Sequence, residues 1–472
     1  MKAKALFMAA ALCLLLTLTS CTTNFESNAE NLMRPPQGTG EQAAIREAVQ
    51  RSVGDNITWK FPKSGEYRSA FILYDIDKDG EDEAFVFYQQ NYEAQSGRII
   101  RICVLSRDED RNWKVVWDKA GVGVEVEFVA FENITGTSAY DNMVVGYREM
   151  SSNKVLTIYE YGQQLENVYE GNYSLVEFIE GSTAGVKELL IVDQAFGQYR
   201  KYLRLVRGKD GKMVTSPDEN DQLESFLFAM NMNENRVDVT TERVDDLTIV
   251  YVDQLVDYTE IATQVFAVKG GNLYGMENYD LQRDMTTRNE NMPAVDFDGD
   301  GRIEIPGPSV GTREEYLQDQ IERRELFIDA SLQSVIWYEV SWAYPENAVI
   351  TDPDRPSLSL VEKYFSYQNS AAGCYFIMPK GWIGRVNVET QLDGLLMRFS
   401  MRNQDIDLLQ LLAHPVGIVL DIENFGDFTL IMADSDYEYY AYVPATEDFG
   451  VVNVIELDQL EQHIVPISWL TK

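Results

Sequence analysis

A mainly β chain is predicted: a β-propeller of about five recognisable four-stranded repeats, followed by a small α+β sandwich domain. Three observations carry this. Short apolar runs recur in the first two thirds of the chain with starts about 45 to 60 residues apart, the spacing of propeller blades. Asp-Gly and Gly-Gly steps lie between neighbouring runs, where tight hairpins need positive φ. From about Arg355 the pattern changes to shorter strands mixed with helical stretches. At 472 residues the chain is long enough for about two or three globular units.

The N-terminus reads as an address. Lys2 and Lys4 precede an apolar stretch, Ala5 to Leu18, which is shorter than the roughly 20 residues a spanning helix needs. It ends in Leu18-Thr19-Ser20-Cys21, which resembles a bacterial lipobox. That resemblance implies a signal peptide over residues 1–20 and a lipid on Cys21, which anchors an exported chain to the outer face of the cell membrane. Residues 21–40, with Pro35-Pro36 and no apolar periodicity, form a flexible tether. Cys103 and Cys374 remain, far apart in sequence and each inside an apolar run, as buried hydrophobes rather than a disulfide.

Residues 41–352 are assigned to the propeller. A helix is expected over Glu41 to Ser52, with Ala44, Ile45, Ala48 and Val49 at helical spacing. The second strands of the repeats begin at Glu83, Asn142, Lys187, Asp246 and Arg302. The third strands run over 99–105, 154–159, 201–206, 263–268 and 334–340. Lys209-Asp210-Gly211 and Gly270-Gly271-Asn272 are the hairpin turns. Thr312 and Glu315 in capping-box spacing open a helix inserted between blade strands and ending at Leu326.

The sharpest chemistry lies in two acidic loops. Asp75-Ile-Asp77-Lys-Asp79-Gly80-Glu81-Asp-Glu83 and Asp296-Phe-Asp298-Gly-Asp300-Gly301-Arg302-Ile-Glu304 share the pattern D-x-D-x-D-G-x-x-E. Alternating carboxylates, a glycine for the sharp turn and a further acid at position nine can wrap hard oxygen ligands around one Ca²⁺ at roughly 2.3–2.6 Å. Positions one, three, five and nine offer side chains. Position seven, Glu81 or Arg302, offers its carbonyl. On these loops the sequence resembles the FG-GAP or VCBS-type repeat family of calcium-loop β-propellers, which implies loops that stiffen a binding platform. The middle repeats depart from the pattern, with Asn133-Ile-Thr-Gly136, Glu180-Gly-Ser182 and Thr241-Glu-Arg-Val244 in place of the acids. Those blades are expected to hold no ion.

Asp352-Pro-Asp-Arg-Pro356 reads as a connector, and residues 356–472 as the second domain. It is expected to contain strands near 373–378, 385–389, 395–400, 416–422, 428–433 and 437–443, an apolar helix from Asp405 to Ala413 and a last helix over 455–464. Tyr375-Phe-Ile-Met-Pro-Lys-Gly-Trp382, followed by Val386-Asn-Val388, resembles the opening of PsbP-like domains, which implies an interaction module.

Lys plus Arg is 40 against 76 Asp plus Glu, a net charge of −36 that repels nucleic acid and anionic lipid and suits cations. The two histidines, His414 and His463, are assigned structural places, the first at a helix C-terminus. No phosphate-binding P-loop occurs. The sequence therefore predicts a non-catalytic, lipid-anchored binding or adaptor module for a protein or glycan partner. The rivals are a glycan-active propeller hydrolase using paired carboxylates and a cell-envelope assembly factor.

Overall fold

The computed structural model describes residues 40–91, 99–137, 139–193, 201–217, 226–228, 237–256, 259–289, 291–308, 332–344, 355–402, 404, 406–418, 426–444, 449–450 and 452–470. The signal peptide, Cys21, the tether, the inserted helix at 312–326 and most of the connector at 352–356 lie outside these.

The chain opens with helix α1 (Gly40–Val53), whose Ile45, Ala48 and Val49 are buried as their spacing requires, while Ala44 is exposed. Six antiparallel sheets follow. The first holds β1 (Ile57–Lys60), β2 (Phe71–Tyr74), β3 (Glu83–Gln90), β4 (Arg101–Arg107) and β5 (Trp113–Ala120), with β1 and β2 sharing one edge of β3. The second is the meander β6 (Glu125–Glu132), β7 (Asn142–Arg148), β8 (Lys154–Glu160) and β9 (Glu166–Asn172). The third repeats it with β10 (Leu175–Glu180), β11 (Lys187–Asp193), β12 (Tyr202–Lys209) and β13 (Lys212–Ser216). The fourth holds β14 (Val237–Val244), β15 (Leu247–Leu255), β16 (Glu260–Lys269) and β17 (Asn272–Gly275); helix α2 (Tyr279–Thr286) then leads to β18 (Arg288–Asn289), which returns to β16.

β19 (Glu304–Pro308), β20 (Leu332–Ala343), β21 (Ser357–Asn369) and β22 (Cys374–Ile377) make the fifth sheet. The sixth has β23 (Val386–Gln391), β24 (Leu396–Met401), β25 (Asp407–Pro415), β26 (Thr429–Ala433) and β27 (Tyr437–Tyr442), with β27 between β25 and β26. A 3₁₀ turn (Leu457–His463) leads into β28 (Ile464–Pro466), which closes the fifth sheet against β22, and α3 (Ile467–Leu470) ends the described chain.

All five expected second and third strands are present and paired with each other, as β3–β4, β7–β8, β11–β12, β15–β16 and β19–β20. Their apolar runs are continuous because each sheet is sandwiched. In β7, Met143, Val145 and Tyr147 face the first sheet, whereas Val144 packs with Leu189 and Ile191 of the third. Such a strand has no solvent face, so the alternation of a one-sided strand is absent. Gly146 sits in this crowded layer; a Cβ there would fall 2.3 Å from Tyr173 Oη. Sheets three and four meet through Leu203 and Leu205 against Val250 and Phe266, and sheets four and five through Ile249 and Tyr251 against Ile305 and Val340. Each fully buried Leu, Ile or Phe contributes about 1.5–3 kcal/mol. The outer face of sheet one is covered by α1, and among the described residues no core cluster joins sheet one to sheet six. The architecture is a mainly β row of face-stacked antiparallel sheets.

The predicted hairpins form as read. Asp210 and Gly211, and Gly270 and Gly271, all take positive φ between directly paired residues. At Gly271 a Cβ would fall 2.2 Å from Arg207 Nε, so any other residue would displace the guanidinium that donates to the Gly271 carbonyl.

Several expectations in the last third are corrected. The apolar run over 405–413 is strand β25, not a helix. Its Leu408, Leu409, Leu411 and Leu412 are all buried, and β24 and β27 hydrogen-bond to its two edges. A short run that is apolar all round fits a buried strand and a buried helix equally, and sheet pairing decides. His414 consequently stands in a strand. Val416 to Ile418 form a turn rather than a strand, and the expected last helix is the 3₁₀ turn. The connector at 352–356 lies between β20 and β21, neighbouring strands of one sheet, which pair from Leu332↔Asn369 to Ala343↔Ser357.

Candidate metal centres

The acidic loops occupy the same place in sheets one and five: each delivers its ninth residue, Glu83 or Glu304, as the first residue of a strand. Their backbones are near copies. Positions four and six have positive φ in both, Lys78 (59°) and Gly80 (92°) in the first, Gly299 (77°) and Gly301 (87°) in the second. This left-handed backbone turns successive N–H groups inward.

The hydrogen bonds repeat as well. The position-one carboxylate accepts the N–H of position six, Gly80 N to Asp75 Oδ2 and Gly301 N to Asp296 Oδ2, both at 3.0 Å. Position three accepts from position five, at 3.3 Å (Asp77) and 3.2 Å (Asp298). Position five accepts from position seven at 2.8 Å in both loops. The ninth carboxylate reaches back to the N–H of position two, Ile76 at 3.3 Å and Phe297 at 2.8 Å, and both of those side chains are buried. Sheets two and three keep this last clasp without the alternating aspartates: Asn142 Oδ1 accepts the N–H groups of Ile134 and Thr135, and Glu188 Oε1 that of Ser182.

The predicted ligands are thus brought together. Carboxylate oxygens of Asp75, Asp77 and Glu83 lie within 4.8 Å of one another, as do those of Asp296, Asp298 and Asp300. Asp79 stands beside the first group, accepting Glu81 N–H. The side chains of Glu81 and Arg302 point elsewhere, which leaves only their carbonyls for an ion. Glu81 pairs with Arg111 at 3.5 Å, and Arg302 binds Glu242, Glu339 and the Val340 carbonyl.

In the first loop the donor set fits a hard divalent cation. Glu83 is 4% exposed, and burial, with the charges of Asp77 and Asp79 behind it, pushes its carboxyl up to about 7. Burial and the Asp79 charge raise Asp77 too. Like charges held together at a buried oxygen cluster are what an ion would relieve.

The second loop differs because a cation of the chain's own is in it. Lys363 Nζ lies 2.7 Å from Asp300 Oδ2, 2.7 Å from Glu304 Oε1, 3.0 Å from Asp298 Oδ2 and 3.4 Å from Glu339. Tyr364 adds a hydroxyl bond to Asp298 at 2.6 Å. Burial opposes the Lys363 charge, but its bonds to Asp300, Glu304 and Asp298 outweigh that and hold its pKa well above the ordinary range. Asp300 is held low by the same hydrogen bond, while the fully buried Glu304 is raised to about 7, chiefly by burial.

The source of the difference is one residue in a shared irregularity. In sheet five, Trp337 pairs with Tyr364 and Tyr338 with Glu362, so Lys363 is the extra residue of a β-bulge. In sheet one, Val104 pairs with Trp117 and Leu105 with Val115, leaving Val116 as the extra residue. Counted from the ninth loop position, through Ala84↔Leu105 and Ile305↔Tyr338, the two bulges coincide. Lys363 and Tyr364 were not singled out from the sequence. A lone lysine about sixty residues from the loop carries no local signal.

Beside the second loop a cleft of about 880 Å³ opens toward the C-terminus. Asp298, Asp300 and Tyr364 line it together with Glu461, His463 and Trp469. Trp469 is 54% exposed. His463 is partly buried, its Nδ1 donating to the Ile377 carbonyl at 2.8 Å, and burial lowers its pKa. His414 has Glu438 on one ring nitrogen (3.1 Å) and the Ile418 carbonyl on the other (2.6 Å), not a helix end. Cys103 and Cys374 are free, each buried in a separate core cluster.

No protein-family model matches the chain, and no curated protein does. Among solved structures, similarity reaches a "Glycoside hydrolase" (7% identity, 69% of this chain and 96% of that one, TM-score 0.22). It also reaches an exo-β-1,3-galactanase from Phanerochaete chrysosporium with β-1,3-galactotriose (8% identity, 76% and 80%, TM-score 0.21). Both names are those of glycoside hydrolases, and the expectation of a chain without catalytic activity, which rested on missing short motifs, is withdrawn on that finding. At these TM-scores the likeness carries nothing further about this chain.

Proposed function

We propose that this chain is an exported surface protein, lipid-anchored through Cys21, in which a propeller-like row of sheets clasped by calcium carries a glycan-binding cleft. Calcium belongs to the first loop, on Asp75, Asp77, Asp79, Glu83 and the Glu81 carbonyl, and there it neutralises the clustered carboxylates and stiffens the entry to β3.

The observation that supports a glycan ligand is the cleft beside the second loop. Its exposed Trp469 and nearby Tyr364 offer ring faces to the apolar side of a sugar, and Asp298, Asp300 and Glu461 offer acceptors to its hydroxyls. Titration of oligosaccharides followed by tryptophan fluorescence tests this. Saturable binding lost in Trp469→Ala is expected, and equal affinity in that variant rejects the cleft.

A second reading is favoured by the same carboxylates. A glycosidase needs two acids flanking one bond, about 5 to 10 Å apart. Glu461 and Asp300 line one cleft, and Asp300 is held ionised by Lys363. Release of reducing ends from a bound oligosaccharide, abolished in Glu461→Gln with binding kept, distinguishes hydrolysis from binding alone.

A further inference from the structure

We infer that Lys363 is the resident cation of the second acidic loop, so that the chain takes one divalent ion, at the first loop, although both loops carry the same ligand pattern. The inference rests on the calcium reading of these loops. Its basis is the matched geometry: hydrogen-bond frames that agree except in the second bond to the position-one carboxylate (from Asp79 N–H in one loop, from Gly299 N–H in the other), a common β-bulge, and Lys363 in one bulge where Val116 stands in the other.

The ammonium does what an ion would do. It sits within 3.0 Å of Asp298, Asp300 and Glu304, the third, fifth and ninth positions of the loop, and within 3.4 Å of Glu339 on the next strand. Calcium takes six to eight oxygens and would need those same atoms. An ammonium and a divalent ion cannot share them, since each would then stand against a like charge inside a partly buried site. Lys363 is also tethered: its side chain is 16% exposed, and the bulge already points it at the loop. At Val116 no charge is available, and the ion pairs near the first loop lie on its rim, Lys78 with Asp141 at 2.8 Å and Arg111 with Glu81 at 3.5 Å.

The test counts calcium bound to the full signal-free chain by equilibrium dialysis. One ion per wild-type chain is expected, with none in Asp77→Asn and one still in Asp298→Asn. Lys363→Val should bind two, and Val116→Lys should bind at least tenfold more weakly than wild type. Two ions in the wild type, or loss of the ion in Asp298→Asn but not in Asp77→Asn, overturns the inference while leaving calcium in place. No ion in the wild type rejects calcium at the first loop; one ion in Lys363→Val would then still support the lysine as placeholder, and none would overturn that too. Should Lys363→Val lose its circular-dichroism spectrum, the two aspartate variants decide the matter alone.

Discussion

The two acidic loops are the same frame completed in two ways. In sheet one the ninth acid is buried among other acids and its clasp to Ile76 is long, at 3.3 Å; in sheet five it is buried on a lysine and its clasp to Phe297 is 2.8 Å. A loop that contains its own counter-charge needs nothing from solution. One that lacks it keeps its carboxylates set against one another. A repeated motif therefore does not imply a repeated site, because the carboxylates come from the motif and the counter-charge from a neighbouring strand.

The largest effect expected from breaking this comparison is at the buried anchors. Phe297 stacks on Trp337 at 3.7 Å, and Phe297→Ala should cost about 3–5 kcal/mol in urea unfolding, the same with calcium or with chelator. Ile76→Ala, at the equivalent position, should cost about 2–4 kcal/mol and also weaken calcium binding. Next comes Glu304→Gln, which takes from Lys363 one of its closest carboxylates and should cost about 3 kcal/mol regardless of calcium. Glu83→Gln should cost little in chelator and lose the stabilisation calcium gives.

A second lysine sharpens the contrast. Lys201 is 2% exposed, its Nζ has no hydrogen-bond partner among the described residues, and burial lowers its pKa to about 8. The folded state thus disfavours its charge, a penalty present in full below pH 8. The unfolded chain binds more protons between about 8 and 10.5, so stability rises with pH across that window. Lys201→Met should stabilise the protein by about 3 kcal/mol at pH 7 and flatten the rise. Chemical denaturation at pH 7, 9 and 10.5 checks both; an unchanged slope would mean the ammonium is solvated after all.

The smallest effect is on the backbone. Gly80→Ala and Gly301→Ala meet open space but force φ near 90° on an alanine, at a cost of about 1 kcal/mol each. Only Gly80→Ala should also lower calcium affinity.

How far the sequence could be read follows from the range of each signal. The loops were legible because their ligands, turn glycine and clasp sit within nine residues. The five strand pairs were legible because sandwiched strands are uninterrupted apolar runs between turn residues. The same reasoning failed at Leu408 to Leu412, where an all-round apolar run has no period and only its neighbours Leu396–Met401 and Tyr437–Tyr442 make it a strand. Lys363 and Trp469 were illegible for a related reason. What matters about each is what lies opposite, and that is set by a β-bulge and by the return of the chain end to the second loop, neither of which leaves a local pattern.

The most direct measurement is a crystal structure grown in calcium. One ion is expected, ringed at roughly 2.3–2.6 Å by oxygens of Asp75, Asp77, Asp79, Glu81 and Glu83, with Lys363 still seated on Asp300 and Glu304. An ion among Asp296, Asp298 and Asp300, with Lys363 swung out into solvent, would contradict it.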